Sequence, residues 1–299
     1  MKIERIEGRI TVLSPLVHSE ESYGNVRMFR RMKTDKGEIP YVSGNAIRGE
    51  ARRRMYAHFL ESLGITEKDL PITAVRFLKM GGSLEEGDEA DYDTGFECRL
   101  RAILPAWSLF GGAVKAQLLK SKFDSLNAVP VCAETEFITG IKSDKHAVEL
   151  LSQELGTRKD DREQKDSRED SAQMIYYDEV LNPGTVLYHA YVLRGLTDLE
   201  RSAFGRMMLE MERWGTIGGK TATGHGRVKF EYDNFTPQPE AYDASLRENR
   251  EAILAFLRSL TPPGKKSDGR RGGKQPKGGG NSGSDSSNSS NDDAGRTEE

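Results

Sequence analysis

The segment Thr197 to Tyr232, TDLERSAFGRMMLEMERWGTIGGKTATGHGRVKFEY, limits the fold more than any other part of the chain. Leu199, Phe204, Met208 and Met211 recur at helical spacing. Thr197 or Asp198 can cap the first turn, and Gly215 stands just past the last. RVKFEY then alternates as a strand does. Between them lies a loop in which Trp214 to Phe230 holds five glycines. Helix, glycine loop, strand is the reverse of the order in which nucleotide-binding loops work. A Walker A loop needs a glycine five positions before Gly219-Lys220-Thr221, where this chain has Trp214, and a helix after it, where this chain has a strand. The dinucleotide fingerprint fails on the same order. Two explanations remain open for the glycines: a phosphate of another kind approached by bare backbone, or a last strand entering a crowded sheet.

The rest of the chain supplies the partners for that unit. KIERIEGRITVLSPLV alternates charged and apolar residues as a half-buried strand should, and Ser14-Pro15 ends it. In IPYVSGNAIRGEARRRMYAHFLESLG a Gly-Asn turn leads into a helix with Ile47, Ala51, Met55 and Phe59 on one face and arginines on the other. Pro71 to Arg99 mixes apolar residues with an acidic stretch, Glu85 to Asp93, and reads as an insertion with weak structure. RAILPAWSLFGGAVKAQLLKSKFDSL has a Gly-Gly turn, and its periodicity leaves strand and helix open. AQMIYYDEVLNPGTVLYHAYVLRGL reads as two strands joined at Asn182-Pro183-Gly184. RKDDREQKDSRED has no apolar residue and predicts an exposed, mobile loop. A last helix is expected over about Ala244 to Leu260. The expected fold class is α+β, a ferredoxin-like or RRM-like antiparallel core. It occupies 1–260, with insertions at about 60–100 and 134–175, and is followed by a disordered Gly/Ser/Lys/Arg-rich tail over 261–299.

At 299 residues and 36% hydrophobic content one large core or two small ones can form. A net charge of −3 does not exclude a nucleic-acid binder, because clustering matters more than the sum. Arg27, Arg30, Arg31, Lys33, Arg48, Arg52, Arg53 and Arg54 do cluster near the N-terminus. Cys98 and Cys132 fit neither a metal motif nor a disulfide framework, so no metal is expected and a reducing, cytoplasmic setting fits. No apolar run reaches a membrane span, and MKIERIEGRITVL lacks a signal-peptide stretch.

Four landmarks in this order resemble the RAMP superfamily, and specifically the backbone subunits of CRISPR effector complexes. IPYVSGNAIRGEARR is similar to the family's N-terminal element and LPAWSLFGGA to its Leu-Phe-Gly segment. MIYYDEVLNPGTVLYHAYVL resembles the end of its thumb followed by a core strand. IGGKTATGHGRVKFEY resembles its closing glycine loop. The resemblance covers roughly residues 5 to 232. It implies a palm, a finger-like insertion and a thumb-like hairpin. It also implies sequence-neutral binding of a guide RNA, oligomerisation along that guide, a DNA or RNA target, other effector subunits as partners, and no cofactor. A single-strand holder needs backbone amides, cations and a few apolar wedges. The contacts implied are Asn45, Arg48, Arg52, Gly218, Gly219, Lys220 and Thr221, with His225, Arg27 and Arg30 nearby. Phe137 or Ile138, with Lys142 and Lys145, would form the thumb. Trp107, Phe110 and Trp214 could stack on bases, and each also suits a core; His58 and His189 sit among apolar residues and read as structural.

Catalysis is not expected. Relatives that cut target RNA use an aspartate in the first loop; near Gly24 and Asn25 this chain has none, and His18, Glu20 and Glu21 are the polar residues nearby. The alternative is an endoribonuclease of the same superfamily. It would cut target RNA through a loop carboxylate, or process repeat RNA with His18 as general acid/base and Lys220 or Arg27 steadying the phosphate. An RNA-binding protein outside CRISPR is a third reading.

Overall fold

Ile6, Gly8, Ile10 and Val12 are buried while Arg5, Glu7 and Arg9 face out, and this alternation makes Ile3–Val12 (β1) the centre of the main sheet. The structure is a computed structural model that describes residues 2–82, 93–114, 117–158 and 174–260. The acidic stretch up to residue 92, most of RKDDREQKDSRED and the tail 261–299 lie outside the described residues.

Gly44–Leu63 (α1) follows β1, and Phe123–Ser125 (β2) comes later in the chain. Val186–Arg194 (β3), Asp198–Trp214 (α2) and Val228–Tyr232 (β4) complete the core. The sheet order is β4-β1-β3-β2, all antiparallel, with Val129–Pro130 also paired to β3. One helix thus connects β1 to β2 and the other connects β3 to β4, which is the split βαβ arrangement of the expected ferredoxin-like α+β fold. Gly8 pairs with both His189 and Tyr232. A Cβ there would lie 2.4 Å from a Tyr232 ring carbon, so glycine lets the aromatic ring cross the strand.

Ile47, Ala51, Met55 and Phe59 of α1 are fully buried, as their spacing requires. Ser43 caps the helix, its Oγ accepting from the Ala46 amide, and the left-handed Gly64 ends it. The helix starts hard against β2: a Cβ on Gly44 would lie 2.0 Å from the Ser125 carbonyl oxygen. On α2 Thr197 forms a capping box with Glu200. Replacing Thr197 with alanine should cost about 1 kcal/mol, read as a lower urea midpoint with an unchanged slope.

Four expectations change. Pro71 to Arg99 contains the regular helix Ile72–Met80 and the start of a second, Thr94–Ile103, and the buried Ala74, Phe77, Leu78 and Leu100 of these helices join the main core. The undecided LPAWSLFGGAV is a helix, Pro105–Phe110, a turn at Gly111 and the first strand of the hairpin Gly112–Val114/Gln117–Leu119. The last helix is two, Glu240–Glu248 and Arg250–Arg258, parted at Asn249. The turn at Asn182-Pro183-Gly184 does form, with Gly184 at φ 84°, but the strands it joins belong to different sheets.

The second sheet has the order Leu151–Arg158, Met174–Leu181, Val26–Phe29, Ser19–Tyr23. Two antiparallel hairpins, one from the loop after β1, meet in a short parallel contact where Tyr177 opposes Val26 and Asp178 opposes Arg27.

Candidate nucleic-acid interface

The glycine loop is shaped first by its own backbone. Gly215 ends α2 in the left-handed region, and the Ile217 amide donates to the Gly226 carbonyl while the Val228 amide donates to that of Gly215. Amides of Gly219 and Gly226 donate to the carbonyls of Val17 and Pro15, each at 2.8 Å, and hang the loop on the segment after β1. A Cβ on Gly218 would lie 2.5 Å from the Val17 carbonyl oxygen, and one on Gly226 2.0 Å from that of Ile217. Two of the five glycines are therefore required by close approach within the fold. Gly219 and Thr221, by contrast, are exposed at the tip.

From that tip Lys220, itself left-handed at φ 55°, reaches the second sheet. Its ammonium bonds the carboxylate of Asp178, whose side chain is 2% exposed, and Arg27 holds the same carboxylate, Nε to Oδ1 at 2.6 Å. The Tyr176 ring lies beneath both cations, with the Arg27 Cζ 4.5 Å and the Lys220 Nζ 4.8 Å from its centroid. Opposite it in register is Gly156, where any Cβ would sit 2.3 Å from the ring. His225 Nε2 pairs with Glu154 on the same sheet at 2.8 Å. Ser22, Gly24, Asn25 and Ile175 complete a cleft of about 460 Å³. Two cations sharing one buried carboxylate leave a net positive charge, with N–H donors at the rim of the cleft. Such a site suits a single oxyanion such as a phosphodiester.

Asn45, Arg48 and Arg52 line a different groove, of about 520 Å³, with Gly49, Gly81 and Lys120. Asn45 is exposed there. The Arg48 guanidinium donates to the Phe110 carbonyl and lies over the Phe123 ring. Arg52 is corrected as a contact: it is buried, with Nη1 donating to the Phe77 carbonyl at 3.0 Å and Nη2 to that of Gly111 at 2.6 Å. Those carbonyls lie at the C-terminal ends of Ile72–Met80 and Pro105–Phe110, where the helix dipole favours a cation. Burial, with the Arg48 charge adding to it, brings its pKa down to about 10. The expectation treated the arginine stripe as free, whereas this side chain braces two helices. Arg53 and Arg54 both pair with Glu50.

The start of α1 and the glycine loop meet on two adjacent residues. Val17 accepts the Gly219 amide, and His18 Nε2 accepts the Ser43 amide at 3.2 Å. His18 is therefore neutral and protonated on Nδ1, with burial, and the Arg30 charge after it, lowering its pKa. Arg30 is occupied by Glu20, 2.8 Å away, while Glu21 is exposed on the same strand. Among the described residues no three His, Cys, Asp or Glu side chains gather as metal ligands. Nor is any helix there long and apolar enough to cross a membrane.

The thumb assignment needs a correction. Phe137 and Ile138 sit on the short helix Glu136–Thr139, and Lys142 and Lys145 lie in the loop beyond. The hairpin is Leu151–Arg158/Met174–Leu181. Phe137 and Ile138 are exposed, and Lys36 lies over the Phe137 ring. Trp107, Phe110 and His189 are core residues; Trp214 is 48% exposed. Tyr176 and Asp178 were missed. The signal available was an acid inside the apolar strand MIYYDEVL, two residues from a tyrosine and so on the same face.

No family model matches the chain, and no curated protein matches its sequence. A solved chain titled "Type IV-B CRISPR Complex" is similar in structure, with a TM-score of 0.59 and 22% identity over 77% of this chain and 91% of that one. At that identity the likeness bears on the fold, and it agrees with the α+β core described above.

Proposed function

We propose that this chain is a CRISPR effector subunit that grips the spacer part of a guide RNA by its backbone, without reading bases, and lines up with copies of itself along the strand. Its further partners would be the other effector subunits and a DNA or RNA target, in the cytoplasm and without a cofactor. The likeness to a chain of a Type IV-B CRISPR complex and the four sequence landmarks support the reading. The observation that carries it is the cleft where Arg27 and Lys220 share the buried Asp178, next to the exposed Gly219. Lys220, Arg27, Gly218, Gly219, Thr221, His225 and the exposed Asn45 are the contacts we assign. Arg48 and Arg30 would contribute charge at a distance. The geometry favours holding over cleavage, since the His18 Nε2 that a general base would use already accepts a helix amide.

The test is single-stranded RNA binding followed by anisotropy across a salt series, together with size-exclusion chromatography. Wild type should bind more weakly as salt rises and should elute as an assembly only with RNA. Lys220→Ala should lower affinity about tenfold and flatten the salt slope by about 0.7, the value for one phosphate on a single strand. An unchanged slope in that variant, or a monomer with and without RNA, overturns the reading. So does metal-independent cleavage of repeat RNA that His18→Ala abolishes.

A further inference from the structure

We infer that Trp214 is a nucleobase-stacking platform, placed so that a strand whose phosphates meet the glycine loop lays one base on its indole. This rests on the RNA-holding reading above and adds a contact to the base.

Trp214 is the last residue of α2, and the glycine loop begins at the next position. It is the exposed tryptophan of the two in the sequence, 48% accessible against 1% for Trp107. An exposed indole whose orientation is fixed offers a flat face on which a planar group can stack. Here it is fixed. The Arg54 guanidinium lies 4.1 Å from the ring centroid, and Arg54 is itself held by Glu50 one turn back on α1 and by the Thr216 hydroxyl at 3.1 Å. The indole therefore has a cation on one face and a defined plane, so little ordering remains when a flat partner arrives.

The charge around it also favours a strand. Glu50 is shared by Arg53 and Arg54, so two cations stand against one carboxylate on this turn of α1, and Arg54 is the one over the ring. Arg53 is largely exposed, and Thr221 lies on the exposed tip of the adjoining loop. Stacking on a π-face is indifferent to base identity, which is what a holder of variable guide sequence requires.

The experiment uses the full chain, a short oligouridylate and an abasic ribose-phosphate strand of equal length, with tryptophan emission and anisotropy read on the same samples. Saturating oligouridylate should quench the emission in wild type, and the abasic strand should not. Trp214→Ala should weaken oligouridylate binding by about fivefold to a hundredfold and leave abasic binding unchanged. Trp214→Phe, which keeps a ring, should recover part of the loss. Oligouridylate that binds by anisotropy without quenching overturns the inference and leaves the holding reading standing. Equal weakening of both strands by Trp214→Ala does the same. Quenching on raising protein concentration without RNA assigns the indole to a contact between copies and also overturns it. If wild type binds neither strand, the holding reading fails and the inference with it.

Discussion

Gly226→Ala should lower the unfolding free energy by about 3 kcal/mol or more, whereas Gly224→Ala, two residues away, should cost only about 1. Both glycines have positive φ, 71° and 90°, and a side chain in that region costs roughly 1–2 kcal/mol. The difference lies in the surroundings. A Cβ on Gly224 meets nothing within 4 Å, while one on Gly226 would sit 2.0 Å from the Ile217 carbonyl oxygen. That oxygen cannot swing aside cheaply, because the Ile217 amide of the same stem bonds Gly226 and the Gly226 amide bonds Pro15. Overpacking against fixed backbone adds about 1–3 kcal/mol to the dihedral strain. The consequence reaches the site: with the loop displaced, Lys220 leaves Asp178, His225 leaves Glu154, and the cleft opens. Gly226→Ala should therefore lose RNA affinity at least as severely as Lys220→Ala, and its loop amides should exchange faster with deuterium. Equal urea midpoints for the two glycine variants would sink the argument.

Those same positions show where the sequence was legible. Periodicity alone placed Ile47, Ala51, Met55 and Phe59 on one buried face, and the Thr197–Gly215 punctuation marked both ends of a helix. The order of strands and helices then left few antiparallel arrangements, and the four-stranded core is one of them. The glycine loop was recognisable as a loop. Its geometry was not, since a glycine needed against Ile217 and one free at a tip look identical in sequence.

The cleft was half legible for a related reason. Lys220 and Arg27 were picked for their charge, but their meeting point, Asp178, lies on a strand of the second sheet that pairs at that position with Arg27. Pairing at a separation of 150 residues leaves no local trace. Arg52 failed in the opposite direction. Four residues from Arg48 it shared the right helical face, but the carbonyls that capture it, Phe77 and Gly111, belong to segments read as weakly structured or undecided. Charge on a helix can be counted from sequence; whether it is already taken depends on what packs there.

The second large effect is on pH. Between pH 7 and pH 5 the protein should lose about 2 kcal/mol of stability through His189 alone. Its ring is fully buried on β3, with Nδ1 2.6 Å from the Tyr232 hydroxyl and Nε2 3.1 Å from that of Ser125. Burial brings its pKa down to about 3, against about 6.5 when unfolded. A depressed folded pKa means that stability is intact above the unfolded value. It falls once the unfolded chain binds a proton that the native ring refuses, so the loss runs from pH 6.5 down toward 3 at about 1.4 kcal/mol per unit. His18 and His58, also lowered by burial, add in the same direction below about pH 6.5. Glu4, Glu7, Glu134 and Glu200, held below the usual carboxylate range by their partners, join only under about pH 4.5. The interval from 6.5 to 4.5 therefore belongs to the histidines. Urea unfolding at half-unit steps across it should give a falling line for wild type and a shallower one for His189→Asn, whose amide keeps a donor and an acceptor but cannot be protonated. That variant will be less stable at pH 7, so slope is the quantity to read. Parallel lines for the two proteins would mean that the buried imidazole takes up its proton without unfolding the core.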